Sequence, residues 1–280
     1  MTNAPCSEID WQEDSRRFDG VADRYAAYRP AYPQALIDTL ISITGIQGDS
    51  KILEIGSGTG KATLPFAQRG FSMLCIEPGK NLVAVAAQAL RDFPRVEFET
   101  VAFEQWHERP REFDLVMSAQ AFHWIPKAIG YAKAARALKE TGQLALFWNM
   151  HPDPTGAIFL NLRKVYEECV PEWIGQSHSC EELIKQREAD IRDSGCFGDI
   201  QVKRFPWSIK YDAAQYVGLL GTYSDHLRLP EERRQRLYQS VVAVITQHGG
   251  IIEKPYLAVL YVAQVRHNLL TGSESSSIFA

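Results

Sequence analysis

Between Ile52 and Gly60 the chain reads ILEIGSGTG: an apolar run ends in glycines at positions 56, 58 and 60, and a carboxylate, Glu54, stands two residues ahead of the first. Glycines let a backbone turn sharply and let a ligand approach where a Cβ would collide, and a helix starting just beyond them presents free N–H groups. A loop of this kind can cradle a cofactor; a tight strand-to-helix turn would use the same glycines. The spacing is G-x-G-x-G, not the G-x-G-x-x-G of dinucleotide sites. Glu77 ends the next apolar run, where a carboxylate can accept hydrogen bonds from both hydroxyls of a ribose. Ribose recognition of this type suits any adenosine-bearing cofactor, a nicotinamide dinucleotide included. The other reading of Glu77 is an exposed acid opening the Pro78–Gly79 turn.

Further chemistry-bearing residues lie downstream and upstream. His123 follows a fourth apolar run, and an imidazole titrates near neutral pH and can take a proton from a hydroxyl, amine or thiol. With Phe122 and Trp124 beside it, His123 can equally bond the backbone and shape a pocket. Arg29, next to Tyr28 and before Pro30, can pair bidentately with a carboxylate or form a surface salt bridge. Tyr25, Tyr28, Tyr32, Trp124 and Trp148 can wall a dry pocket, or pack as core. The five cysteines, Cys6, Cys75, Cys169, Cys180 and Cys196, show neither C-x-x-C nor Cys/His ligand spacing, so no metal site and no disulfide framework is expected.

The elements that must position these residues alternate. Strands are expected at 51–55, 72–76, 95–98, 113–118 and 143–148, separated by helices at 62–69, 81–92 and 125–138. Helical runs at 15–28 and 35–43 precede the first strand. Repeated βα units imply a parallel sheet with helices on both faces and ligands at the carboxyl ends of its strands. After the His151–Pro154 segment a long helical stretch is expected from 157 to 194, a strand at 200–209, helices at 213–221 and 230–247, and a last strand at 256–265. The expected organisation is one domain over 1–280: a helical lid at 15–45, a cofactor-binding core at 50–150, a helical insertion at 212–248, and loose ends at 1–14 and 271–280.

Bulk properties narrow the function classes. A net charge of −4 and the absence of a Lys/Arg stripe argue against a nucleic-acid surface; in Glu231–Arg236 acids precede the bases, as on a solvated helix face. The opening is polar and acidic, and no apolar run reaches membrane-spanning length, so a cytoplasmic protein without membrane contact is expected, as monomer or homodimer.

Taken together, Glu54 with Gly56, Gly58 and Gly60, Glu77 at the next strand end, and Phe113–Trp124 (FDLVMSAQAFHW) resemble the class I S-adenosylmethionine-dependent methyltransferases. The opening Phe18–Tyr25 (FDGVADRY) and Tyr28–Tyr32 (YRPAY) looks like a bacterial small-molecule branch that includes relatives of trans-aconitate methyltransferases. The resemblance implies a Rossmann-like α/β fold with a seven-stranded, mostly parallel sheet, an antiparallel last strand and a helical insertion over the active site. It implies that Glu54 and the glycine loop hold the methionine end of the cofactor, that Glu77 holds the ribose, and that Ala102 and Phe103 flank the adenine. Pro78, Ser118, Tyr25 and Arg29 complete the expected cofactor set. Tyr28, Tyr32, Trp124 and Trp148 are expected at the acceptor, with aromatic faces toward the sulfonium, and His123 is the candidate for proton transfer. Many relatives place an Asp at the third strand end, where this chain has Thr100–Glu104 (TVAFE); a backbone N–H can serve there instead, with Phe103 either on the adenine or in the core.

Methyl transfer from a sulfonium is an in-line displacement, so alignment and water exclusion are the main demands. No Asn/Asp-Pro-Pro-aromatic tetrapeptide, the pattern of the nucleic-acid and protein amide N-methylating branches, follows the fourth strand. The expectation is therefore O-, N- or S-methylation of a small molecule. A non-catalytic S-adenosylmethionine-binding regulator and an NAD-dependent oxidoreductase remain the alternatives on the same fold.

Overall fold

The computed structural model describes residues 17–175 and 179–266. The expected loose ends, 1–14 and 271–280, lie outside the described residues. Seven strands, β1 (Lys51–Ile55), β2 (Ser72–Ile76), β3 (Val96–Glu99), β4 (Phe113–Ala119), β5 (Leu138–Met150), β6 (Phe197–Asp212) and β7 (Ile251–Val265), form one sheet in the order β3-β2-β1-β4-β5-β7-β6. β1 to β5 pair in parallel, and β7 runs antiparallel to both β5 and β6. The reversal of strand order between β1 and β4 opens the cleft in which such sheets bind ligands.

Strands of this sheet are buried on both faces, as parallel sheets are. Alternate residues feed two cores. Leu53, Leu74, Val116 and Leu146 point to one face, under Tyr131 and Ala134 of α5 (Lys127–Ala137). Ile52, Met73, Leu115 and Phe147 point to the other, under Leu36, Ile37 and Leu40 of α2 (Gln34–Thr44). Burying each such side chain contributes about 1.5–3 kcal/mol. Before α2 comes α1 (Ala22–Tyr28); between the strands lie α3 (Thr63–Ala67) and α4 (Lys80–Ala89).

The long helical stretch expected from 157 to 194 is two helices, α6 (Ala157–Cys169) and α7 (Cys180–Asp193). Pro171 has no N–H to continue the first, and Ser179 starts the second through a capping box with Glu182. Between β6 and β7 come α8 (Ala213–Leu220), α9 (Ser224–Arg228) and α10 (Glu231–Gln247). These helices share a third core with α6: Leu162 and Tyr166 meet Tyr216, Leu219, Leu237, Val241 and Ile245, closing on Ile252 and Tyr256 of β7. This cap is a packed unit in its own right, set over one end of the sheet. α2, expected as part of a lid, instead belongs to the sheet core, because its Leu36, Ile37 and Leu40 are 0–1% exposed. α1 alone reaches across: Asp19 just before it accepts from the Asn81 and Leu82 N–H groups that open α4 (2.7 and 3.1 Å), and the Tyr28 ring lies against Gly218 of α8.

Candidate functional site

At the carboxyl ends of β1, β2, β4 and β5 lies a cavity of about 770 Å³, bounded on the far side by α7 and the cap. Beside it, against the glycine loop, is a recess of about 40 Å³ that shares Tyr25, Arg29, Gly56 and Asn149 with the larger space.

The glycines have separable causes. Gly56 has φ +72°, and a Cβ there would stand 2.3 Å from the Ala121 Cβ, so the β1 loop can lie on the β4 loop only without a side chain. Gly58, at φ +55°, has free space around it but turns its N–H onto Glu77 Oε2 at 3.0 Å. Three more of the loop's N–H groups are engaged: Gly56 and Ser57 donate to the Ile76 carbonyl and Gly60 to that of Ser57. α3 has only five residues and its Leu64 N–H returns to Gly60. Four of the five N–H groups from Gly56 to Gly60 are thus engaged within the protein. Side chains add to the polarity of the loop. Glu54 Oε1, Ser57 Oγ, Thr59 Oγ1, Asn149 Oδ1 and His151 Nδ1 are five buried atoms without a hydrogen-bond partner, and all five residues line the small recess. Buried polar groups are costly unless paired, so their convergence marks a place for a strongly polar ligand group.

Glu54 is fully buried; its Oε2 accepts from Thr63 Oγ1 at 2.7 Å and from Cys75 Sγ at 3.7 Å. Desolvation dominates and pushes its carboxyl up to about 8, against the bonds from Thr63 and Cys75. Glu77 follows β2, lines the large cavity, and accepts from the Gly58 and Gly79 N–H groups at 3.0 and 2.9 Å; burial raises it to about 7 despite those bonds. Arg29 donates from Nε and Nη2 to Thr222 Oγ1 and O at 2.8 and 2.7 Å, and its guanidinium lies 4.2 Å from the Tyr223 ring centroid. Among the described residues Arg29 makes no ion pair with a carboxylate, and it lines both spaces.

Pro78, Ala102 and Phe103 line the large cavity beside Glu77, and Phe103 stacks on Trp106 at 5.8 Å, so its ring serves core and wall together. His123, Trp124 and Trp148 line it at the β4 and β5 ends. Tyr32 lines only the recess, its ring edge-on to Phe147 at 4.8 Å. Three expected site residues do not reach either space. Gly60, at φ +79°, lies against the end of α4, where a Cβ would stand 2.9 Å from Leu90 Cδ1. Ser118 is fully buried and spends its hydroxyl on the Ile55 carbonyl at 2.7 Å, tying β4 to β1; Tyr28 spends its ring on α8.

His123 is exposed, but into the cavity. The enclosing walls and then the Arg187 charge hold its imidazole well below the usual range.

Sequence reasoning missed the far wall. Tyr166 of α6, Gln186 and Arg187 of α7, Tyr223 and His226 of the cap, and Lys254 of β7 all line the cavity. His226 is 3% exposed, bonded through Nε2 to the Tyr166 hydroxyl at 3.3 Å, and held down to about 4 by desolvation. Lys254 is 2% exposed and lowered to about 7 by burial and then by Arg29. One signal was present in the chain: with period two, Lys254 falls between Ile252 and Tyr256 on the buried face of β7. Gln120 carried a different mark, visible only in the fold. It has φ +60°, unusual for a side chain of this kind, and its Oε1 accepts the Asn149 N–H at 2.6 Å, locking the β4 turn to the end of β5.

Residues 52–142 match a family model described as a methyltransferase domain, a span that contains the glycine loop, Glu77 and His123. An uncharacterized methyltransferase of Mycobacterium tuberculosis is 24% identical over 92% of this chain and 96% of its own length. Among solved structures, a phosphoethanolamine N-methyltransferase of Haemonchus contortus in complex with S-adenosyl-L-methionine superposes with a TM-score of 0.52 at 15% identity, over 93% of this chain and 61% of that one. The [4+2]-cyclase SpnF superposes with a TM-score of 0.55 at 16% identity, over 91% and 97%. Structural likeness at that distance gives the fold, which carries more than one chemistry. The reaction class comes from the matched domain, from methyltransferase relatives that span nearly the whole chain, and from motifs set around one cleft: the protein is an S-adenosylmethionine-dependent methyltransferase.

Proposed function

We propose that the chain methylates a small-molecule acceptor held between the glycine loop and the helical cap. The observation that carries this reading is the division of the cleft. A strongly polar recess adjoins a cavity of about 770 Å³ that is walled by Trp124, Trp148, Tyr131, Tyr166 and Tyr223 and bounded by cap helices. A cleft of this size with aromatic walls suits a cofactor together with a small molecule.

The residues present fit the cofactor. Its amino-acid end needs a carboxylate for an ammonium and a cation for a carboxylate, and the recess offers Glu54 Oε1 and Arg29 with Ser57, Thr59, Asn149 and His151 around them. Glu77 would take the ribose hydroxyls, with Pro78, Ala102 and Phe103 along the nucleoside. When bound, S-adenosylmethionine supplies an electrophilic methyl group on a sulfonium. The chain's own work is then alignment and exclusion of water. Gln120 and Asn149 fix the β4 and β5 loops against each other, Trp124 and Trp148 wall the acceptor side, and α1 bridges α4 and the cap over the opening. Residues 16–32 and about 212–248 are expected to exchange amide hydrogens more slowly once product cofactor is bound.

The test is a mass-spectrometric screen of a metabolite extract with methyl-labelled cofactor. A labelled product of small mass supports the reading; label found only on protein or nucleic acid in a matched lysate would refute it.

A further inference from the structure

The contact between Trp148 and His123 fixes where the imidazole carries its proton. His123 belongs to the short 3-10 turn Phe122–Trp124 after β4, and Trp148 lies near the end of β5, which pairs with β4. The Trp148 Nε1–H donates to His123 Nδ1 at 3.2 Å. An indole nitrogen has a proton and no available lone pair, so it can only donate, and the atom opposite must supply a lone pair. A neutral His123 in this geometry holds its own proton on Nε2.

The donor cannot readily turn away. Trp148 is 5% exposed, edge-on to Tyr261 at 5.7 Å, and covered by the Arg187 guanidinium 4.9 Å from its ring. Protonating Nδ1 would set two N–H hydrogens face to face. Around the ring, Arg187 of α7 opposes a second positive charge, while the Lys127–Asp190 pair and the Tyr131 hydroxyl, from α5 and α7, line the same part of the cavity.

We propose that His123 presents an N–H donor, and no lone pair, to the cavity: it positions the acceptor by donating to it and takes no proton from it. Only the word acceptor rests on the methyl-transfer reading; the placement of the hydrogen stands apart from it. Any proton an acceptor must lose therefore leaves by another route, or the acceptor arrives without one.

The full chain labelled with ¹⁵N-histidine, with and without S-adenosylhomocysteine, tests this in long-range proton–nitrogen spectra from about pH 5.5 to about pH 8.5. His123→Gln, which keeps a donor near the Nε2 position, identifies the resonances. The expected result is an Nε2–H pattern for His123 with no midpoint in that range, and in Trp148→Phe, where Nδ1 is released, a mixture of Nε2–H and Nδ1–H patterns in place of the single one. A wild-type His123 protonated on Nδ1, or titrating inside that range, overturns the proposal, as does a Trp148→Phe spectrum unchanged from wild type. Failure of S-adenosylhomocysteine to bind would strike the methyl-transfer reading instead and leave the free-protein spectra decisive.

Discussion

The two walls of the cleft are made in different ways. On the sheet side, Glu54, the glycine loop and Glu77 come from β1, β2 and the turns directly after them, and each is held by backbone geometry: a φ only glycine tolerates, an approach of 2.3 Å at Gly56, two N–H bonds onto Glu77. On the far side, Tyr166, Tyr223 and His226 come from the cap, Arg187 from α7 and Lys254 from β7, and they converge mainly through side chains brought together across long separations. A wall fixed by backbone suits a ligand that never changes. A wall of side chains on a separately packed cap can be altered residue by residue without disturbing the sheet, which is where differences in acceptor belong.

The largest effect should come from Gly56→Ala. Its Cβ would collide with Ala121 in a backbone conformation strained for alanine, so cofactor binding should be lost in calorimetry. Normal binding would mean the two loops need not touch. Glu77→Ala comes next, because it removes the proposed ribose contacts and also the bonds that hold Gly58 and Gly79. Bonds to a charged group are each worth about 1.5–3 kcal/mol, so affinity should fall by about tenfold to a hundredfold or more.

pH gives a graded effect on the same wall. Glu54, raised to about 8, is protonated in the free protein at neutral pH, whereas an ammonium ligand needs it ionised. Binding should therefore release a proton, and affinity should rise with pH by up to about tenfold per unit until about pH 8. In the free protein the sign is opposite: stability from this group is present below the unfolded carboxyl range and is lost as pH rises toward about 8. A pH-independent affinity that persists in Glu54→Gln would remove Glu54 from the recess chemistry. The smallest effect on cofactor should come from His226→Phe, which should leave cofactor affinity within about twofold while changing the range of acceptors methylated. A matching loss of cofactor affinity would erase the distinction between the walls.

The sheet side was legible in the sequence for the same reason that it is rigid. β1 and β2 are short apolar runs whose terminating turns, Gly56–Gly60 and Pro78–Gly79, lie within a few residues of the groups they position, so 51–55 and 72–76 were bounded as found. Ser118 misled because a strand-end hydroxyl can bond the neighbouring strand as well as a ligand, and only the fold shows that Ile55 takes it. The cap side was illegible because its groups converge across long separations: nothing local joins Tyr166 to His226. The break inside 157–194 was written locally, in Pro171 and the Ser179 capping box, and was outweighed by helical periodicity on either side.

The most direct test of the polar recess as the seat of the cofactor's amino-acid end compares two ligands by calorimetry: S-adenosylhomocysteine, which has that end, and 5′-methylthioadenosine, which shares the nucleoside but lacks it. With Glu54 and Arg29 each contributing a charge-assisted contact of about 1.5–3 kcal/mol, the first should bind at least about a hundredfold more tightly, and Glu54→Gln or Arg29→Gln should narrow the gap. Equal affinities for the two, unaffected by either substitution, would contradict it.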